Sequence, residues 1–206
     1  MTRNTKTKDL VLMGIMTAII FVMGLTPIGY VKTGTLSIAL ITIPVGIAAY
    51  ALGPKGGLLA GLSFGITSVI MAFVNPSALM VALTAISPAK VAILCIVPRV
   101  LVGLCSGSIG YFLRKLRIPS AIAGAVTGFS AAFLNTVFFM SSLLLLFGNS
   151  DTVQGMKGHD NLVLFIIAVV TVNVLIEWIS TTVLTSGVAT ALGAAKLIDI
   201  PKKSEA

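Results

Sequence analysis

The sequence contains few of the residues that carry enzyme chemistry. It has one histidine, two cysteines and one tryptophan, and only 10% of its 206 residues are charged. The histidine, His159, lies beside Asp160 in a polar stretch, and neither a Gly-x-Ser-x-Gly nor a His-Glu-x-x-His pattern occurs. These absences argue against serine hydrolases and zincins. We therefore expect a protein that is not an enzyme, with no cofactor and no metal site.

Features for nucleotide binding and disulfide formation are also missing. The turn GPKGG at 53–57 lacks the Gly-x-x-x-x-Gly-Lys-Ser/Thr spacing of a phosphate loop. Cys95 and Cys105 are ten residues apart in one apolar run, about 15 Å along a helix, which is too far for a disulfide. Any ATP-driven step must therefore be supplied by another chain.

What the sequence does have is apolar length. Hydrophobic residues make up 57% of the chain, and the mean hydropathy is +1.08, values typical of a polytopic membrane protein. We predict an all-α fold with six transmembrane helices in a single domain over residues 1–206. The approximate spans are 10–28, 36–52, 58–74, 91–113, 119–147 and 162–192.

The basic residues predict an orientation rather than a nucleic-acid partner. The net charge is +8, but lysines and arginines lie between and beyond the apolar runs and form no continuous patch. With both termini inside, ten of them are cytoplasmic, and the outer loops carry only Lys32, Lys90 and Lys157. The positive-inside bias predicts cytoplasmic termini and a multi-pass protein of the cell membrane, surrounded by lipid and binding no nucleic acid.

Arg99 is the most informative residue, because it follows Pro98 inside the fourth apolar span. A guanidinium at the bilayer centre costs roughly 3 kcal/mol, so it is expected to face a partner or a cavity. One interpretation is a buried structural ion pair with Glu177. The other is an anion-binding site, in which counting along the spans places Thr67, Asn135, Asn173 and Glu177 at similar depth. The outer loops add Tyr30 and Asn75, and Phe64 is a candidate for an apolar wall of the site.

Small residues recur every four positions on several spans. Gly57, Gly61 and Gly65 on the third span favour close helix packing inside the protein. Gly14 and Ala18 on the first span have the same spacing. They are equally compatible with packing inside the chain and with contact to another membrane protein.

Several short motifs together resemble one family. They are LGPKGG at 52–57 followed by Gly61 and Phe64-Gly65, VPRVLVG at 97–103, and Asn135-Thr136. This pattern resembles the substrate-binding S component of an energy-coupling factor (ECF) vitamin transporter, most closely the pantothenate-specific branch.

The resemblance implies several roles. The chain would capture a vitamin outside the cell and associate with a transmembrane coupling subunit and two ATPase subunits, without chemistry on the substrate. Gly14 and Ala18 stand where the family has Ala-x-x-x-Ala and would contact the coupling subunit, although Gly14 departs from the pattern. The loop at 26–35 would close the site, and Arg99 and Asn135 would bind the ligand.

The residues also bear on the substrate. Pantothenate has a carboxylate for Arg99, and an amide and two hydroxyls for side chains such as Asn135 and Thr67. Flat vitamins favour aromatic stacking, whereas the chain has one tryptophan, Trp178, and three tyrosines. Two alternatives stay open: an S component for another vitamin such as riboflavin or folate, and a self-sufficient small secondary carrier or channel in which Arg99 and Glu177 line the path.

Overall fold

Helices and one small hairpin make up the regular structure of the described part of the chain. The computed structural model describes the backbone of residues 2–26, 29–33, 36–150, 153–154, 162–195 and 197–198, and the side chains of 7–26, 29–30, 39–150, 153–154, 174–195 and 197–198. The helices in these ranges are α1 (Thr2–Leu25), α2 (Thr42–Val74), α3 (Ala78–Ile86), α4 (Pro88–Lys115), α5 (Ser120–Phe147) and α6 (Leu162–Ala194). All but α3 are long and apolar enough to cross a membrane. The predicted all-α membrane fold is confirmed.

Helix α2 consists of two antiparallel halves that meet at Gly53. Gly53 has φ 69° and ψ −155°, a conformation that glycine adopts without steric cost. Tyr30 contacts both ends of α2. It pairs with Ala39, three residues before the first residue of the helix, and its hydroxyl is 2.7 Å from the Ser68 hydroxyl. A straight helix would instead place Thr42 and Ser68 about 39 Å apart. The chain therefore reverses at Gly53, and 42–52 and 54–74 run side by side.

The prediction of a helical second span at 36–52 was wrong in its first residues. Strand β2 (Leu36–Ala39) pairs antiparallel with β1 (Tyr30–Thr33), and the helix begins only at Thr42. The segment 42–52 is about 17 Å long, roughly half of a bilayer core. Strand pairing satisfies backbone groups that a bilayer would otherwise leave unpaired. The predicted loop at 26–35 thus contains a strand, and its partner lies in the predicted span.

Close backbone contact between α2 and α4 fixes where Arg99 lies along the axis of α2. A Cβ added at Gly57 would overlap the carbonyl oxygen of Gly103, and one added at Gly61 would overlap that of Arg99. Gly65 continues the stripe, because its added Cβ would lie 3.1 Å from the Cα of Ile96. The expected packing of these glycines inside the protein is confirmed.

Two apolar clusters lie on either side of Arg99. One joins α1, the residues before α2 and both halves of α2, and includes Ile20, Ile41, Val45 and Phe64. The other joins α3, α4 and the end of α5. Phe139 packs against this second cluster, so Arg99 lies where the two clusters meet.

Candidate ligand-binding site

Pro98 explains how the Arg99 side chain is held. A proline has no N–H, so the carbonyl of Leu94, four residues earlier, lacks its usual helical donor. Arg99 Nη1 donates to that oxygen at 2.8 Å. The guanidinium carbon lies 5.5 Å from the ring centroid of Phe64 and 4.8 Å from that of Phe139, within cation–π range. Two aromatic rings and a backbone oxygen thus fix a side chain that is only 8% exposed.

Arg99 retains unused binding capacity. Its Nε is buried and has no hydrogen-bond partner. Among the described residues no carboxylate oxygen lies within 4.0 Å of an Arg99 side-chain nitrogen. The Glu177 carboxylate is hydrogen-bonded to other groups. The structural Arg99–Glu177 pair, one of the two interpretations of the sequence, is not what the structure shows.

Glu177 instead joins three elements. Its Oε1 accepts a hydrogen bond from Asn135 Nδ2 on α5 at 3.0 Å, and its Oε2 accepts one from the backbone N–H of Ala39 at 3.4 Å. Asn135 and Glu177 are 7% and 5% exposed. The other amide atom, Asn135 Oδ1, is buried without a hydrogen-bond partner. A second unpaired polar atom therefore lies on the helix that carries Phe139.

Tyr30 and Phe64 extend the cluster to the hairpin. The Tyr30 hydroxyl shares a 2.7 Å hydrogen bond with the Ser68 hydroxyl, and its ring centroid lies 6.4 Å from that of Phe64. Burial raises the pKa of Tyr30, more than the Ser68 bond and the charge of Arg99 lower it. The hydroxyl therefore stays neutral at physiological pH. Phe64 is fully buried between Tyr30 and Arg99.

The remaining predicted residues are not all brought to this cluster. Thr67 is fully buried against Gly24 of α1, and its hydroxyl donates to the Phe64 carbonyl at 2.9 Å. Asn75 is exposed at the end of α2, about 16 Å along the axis from Phe64. The side chain of Asn173 lies outside the described residues.

Some partners in the site were not anticipated from the sequence. The Ala39 backbone is one, because a main-chain donor leaves no trace in the residue types. Thr42 is another: its hydroxyl donates to the Ala39 carbonyl at 2.8 Å and lies 3.0 Å from that of Thr181. The sequence did contain a pattern that points to these contacts. Three polar residues recur at four-residue spacing on α6 and are all buried, namely Glu177, Thr181 and Thr185.

The first helix offers a separate surface. Gly14 and Ala18 are both exposed, and a Cβ added at Gly14 would meet nothing within 4 Å. Packing of this pair inside the chain is therefore not observed. Large exposed apolar side chains surround the pair: Leu10, Val11, Ile15, Ile19 and Val22.

The long apolar helices and the buried polar and charged residues between them define a helical membrane protein. A family model described as ECF transporter, substrate-specific component, matches residues 8–189. The chain therefore belongs to the family of ECF transporter substrate-specific components. Members are substrate-binding membrane subunits rather than enzymes, and the family implies a vitamin substrate and partner ECF subunits. A comparison with curated protein sequences gives no match.

Proposed function

We propose that this chain captures pantothenate on the outer side of the cell membrane for ATP-driven uptake. The observation that carries the proposal is the Arg99 guanidinium, which is buried, retains an unpaired Nε and has no carboxylate oxygen within 4.0 Å among the described residues. A buried cation in a bilayer requires a counter-charge or water. A substrate carboxylate supplies that charge through charge-assisted hydrogen bonds.

The neutral part of pantothenate suits the groups near Arg99. Asn135 Oδ1 is an unpaired buried acceptor, and pantothenate carries one amide N–H and two hydroxyls that can donate to it. Thr67 lies one turn of α2 from Phe64 and keeps a hydroxyl oxygen as a further acceptor. Tyr30, Phe64 and Asn173 complete the proposed set of substrate-binding residues. Glu177 acts in it through its hydrogen bond to Asn135, and Asn75 is left out because it is exposed at the far end of α2.

The aromatic residues favour pantothenate over a flat vitamin. Trp178 packs edge-on against Phe129 and Phe133, with ring centroids 5.4 Å apart in both pairs. Phe64 and Phe139 lie against the Arg99 guanidinium. Riboflavin or folate would need a free stacking face, and these rings already contact other groups.

We extend the proposal to the partner subunits and to the orientation of the chain in the membrane. We propose that Gly14 and Ala18 contact the transmembrane coupling subunit, because both are exposed within an apolar face of α1 and small residues allow close helix approach in lipid. Two ATPase subunits supply the energy. Both termini lie in the cytoplasm, as the distribution of lysine and arginine favours.

Titration calorimetry on the isolated chain in nanodiscs tests the substrate. We expect pantothenate to bind with 1:1 stoichiometry and riboflavin, thiamine and folate to give no signal. Arg99→Ala should abolish binding, whereas the matched control Arg117→Ala, at an exposed position in the turn after α4, should not. Unchanged affinity of Arg99→Ala, or binding of another vitamin instead, would contradict the proposal. Uptake into liposomes by the chain alone would favour a self-sufficient carrier.

A further inference from the structure

We propose that Glu177 is a positioning residue that fixes Asn135 as a hydrogen-bond acceptor for the substrate and ties this orientation to the β1–β2 hairpin. The inference rests on the proposed function, because it concerns the same site. It goes further by assigning Glu177 a role other than contact with the substrate. It also states what the substrate must offer to Asn135, namely an O–H or N–H donor.

The structure fixes the orientation of the Asn135 amide against Glu177. A carboxyl oxygen that carries no proton only accepts hydrogen bonds, whereas an amide has a donor end and an acceptor end. Glu177 Oε1 lies 3.0 Å from Asn135 Nδ2, so the donor end of the amide faces Glu177. The acceptor end, Oδ1, is the buried atom without a partner.

The second oxygen of Glu177 connects this amide to the hairpin. Residues facing each other in an antiparallel pair alternate between hydrogen-bonded and non-hydrogen-bonded positions, so alternate N–H groups point away from the partner strand. The N–H of Ala39 meets Glu177 Oε2 at 3.4 Å, and the Ala39 carbonyl accepts from the Thr42 hydroxyl at 2.8 Å. Side chains of α6 and α2 therefore hold both backbone groups at the end of β2.

The same geometry specifies the chemistry of the substrate. Asn135 and Phe139 are four residues apart and share a face of α5, and Arg99 lies over the Phe139 ring. The unpaired atoms of Asn135 and Arg99 are therefore both buried beside the same face of α5. A substrate that satisfies both carries an anionic group and a hydroxyl or amide hydrogen.

Glu177→Gln gives the sharpest test, because glutamine has one acceptor atom where glutamate has two. Asn135 Nδ2 and the Ala39 N–H meet different oxygens of Glu177, so a glutamine in the same position presents an oxygen to only one of them. All groups remain bonded only if the glutamine oxygen accepts from Ala39 and the glutamine nitrogen donates to Asn135 Oδ1. Asn135 then turns its amide nitrogen toward the substrate, and the preferred substrate group changes from a donor to an acceptor.

The binding experiment uses pantothenate and three analogues in which one donor is replaced. The amide N–H becomes an ester oxygen, the secondary hydroxyl a ketone, or the primary hydroxyl a fluorine. We expect the wild-type chain to bind one analogue about tenfold or more weakly than pantothenate, and Glu177→Gln to prefer that analogue. The difference should vanish when Asn135→Ala is added. Thr182→Ala, whose hydroxyl bonds only its own helix at the Trp178 carbonyl, is the matched control.

Equal binding of all three analogues by the wild-type chain, or the same preference in Glu177→Gln, would overturn the donor requirement. Failure of the wild-type chain to bind pantothenate at all would instead contradict the proposed function. A second arm without ligand keeps the two failures apart. The Ala39 amide should be protected from hydrogen exchange in the wild type and in Glu177→Gln, and lose protection in Glu177→Ala.

The experiment without ligand also reports the orientation of the Asn135 side-chain amide. Its side-chain N–H₂ signals, assigned by their loss in Asn135→Ala, should shift in the NMR spectrum of Glu177→Gln and stay unchanged in Thr182→Ala. Unaltered Ala39 protection in Glu177→Ala, or unaltered Asn135 signals in Glu177→Gln, would contradict the positioning role whether or not a ligand binds.

Discussion

Replacing Arg99 should have two separable effects, one on binding and one on stability. Arg99 Nη1 is the donor to the Leu94 carbonyl that Pro98 leaves without its helical partner. Arg99→Ala therefore removes the proposed substrate contact and also leaves a buried carbonyl unpaired. Adding Pro98→Ala restores a backbone N–H opposite Leu94. The double variant should regain stability without regaining binding.

The two effects have different sizes. An unpaired buried acceptor costs about 1–3 kcal/mol, so Arg99→Ala should be less stable than the wild type by roughly that amount. The N–H supplied by Pro98→Ala should recover a similar amount. Two charge-assisted hydrogen bonds from the guanidinium to a carboxylate are worth about 3 kcal/mol or more, which corresponds to a loss of affinity of at least about a hundredfold.

Thermal unfolding in detergent and titration calorimetry with pantothenate separate the two effects. We expect the midpoint to fall in Arg99→Ala and to rise again in the double variant, while neither binds pantothenate. Pro98→Ala alone should bind within about tenfold of the wild type, because its guanidinium is intact. If the double variant is no more stable than Arg99→Ala, the Leu94 contact does not have the role assigned to it. If it binds pantothenate, Arg99 is not the anion-binding residue.

Three further changes test the packing, the partner surface and the hairpin. Gly107→Ala should lower the free energy of unfolding by about 1–3 kcal/mol in denaturant melts, because a Cβ there would lie 2.6 Å from the Gly53 carbonyl oxygen. The control is Gly187→Ala, which should not be destabilising because a Cβ there would meet nothing within 4 Å. Gly14→Leu should leave pantothenate binding unchanged but prevent co-purification with the coupling subunit and ATPases, and an intact complex in the pull-down would contradict this. Tyr30→Phe should weaken binding by no more than about tenfold, since it keeps the ring and removes the hydrogen bond to Ser68. Complete loss in calorimetry would indicate that the hydroxyl itself contacts the substrate.

The sequence predicted the buried charged residues better than it predicted the backbone around them. Polar residues inside apolar spans are costly and therefore visible in the residue types, and Arg99, Asn135 and Glu177 are all buried. Strand β2 was invisible, because an apolar run such as 36–39 is compatible with either a helix or a strand. Its state depends on pairing with β1, a contact between separate segments. Counting along the spans also misplaced Asn75, which is exposed at the end of α2 rather than beside Arg99.

Two of the unpaired buried atoms belong to the proposed binding site. A membrane interior leaves few ways to satisfy a polar group, so an orphaned atom there is either compensated by packing or reserved for a solute. Among the described side chains, the Trp178 indole nitrogen lies in a ring cluster with Phe129 and Phe133. The orphaned atoms of Arg99 and Asn135 instead belong to residues fixed by bonds on their other side, to Leu94 and Glu177. Because both groups are oriented and one atom of each is unused, the geometry supports the proposed small anion with a donor group over a permeating ion.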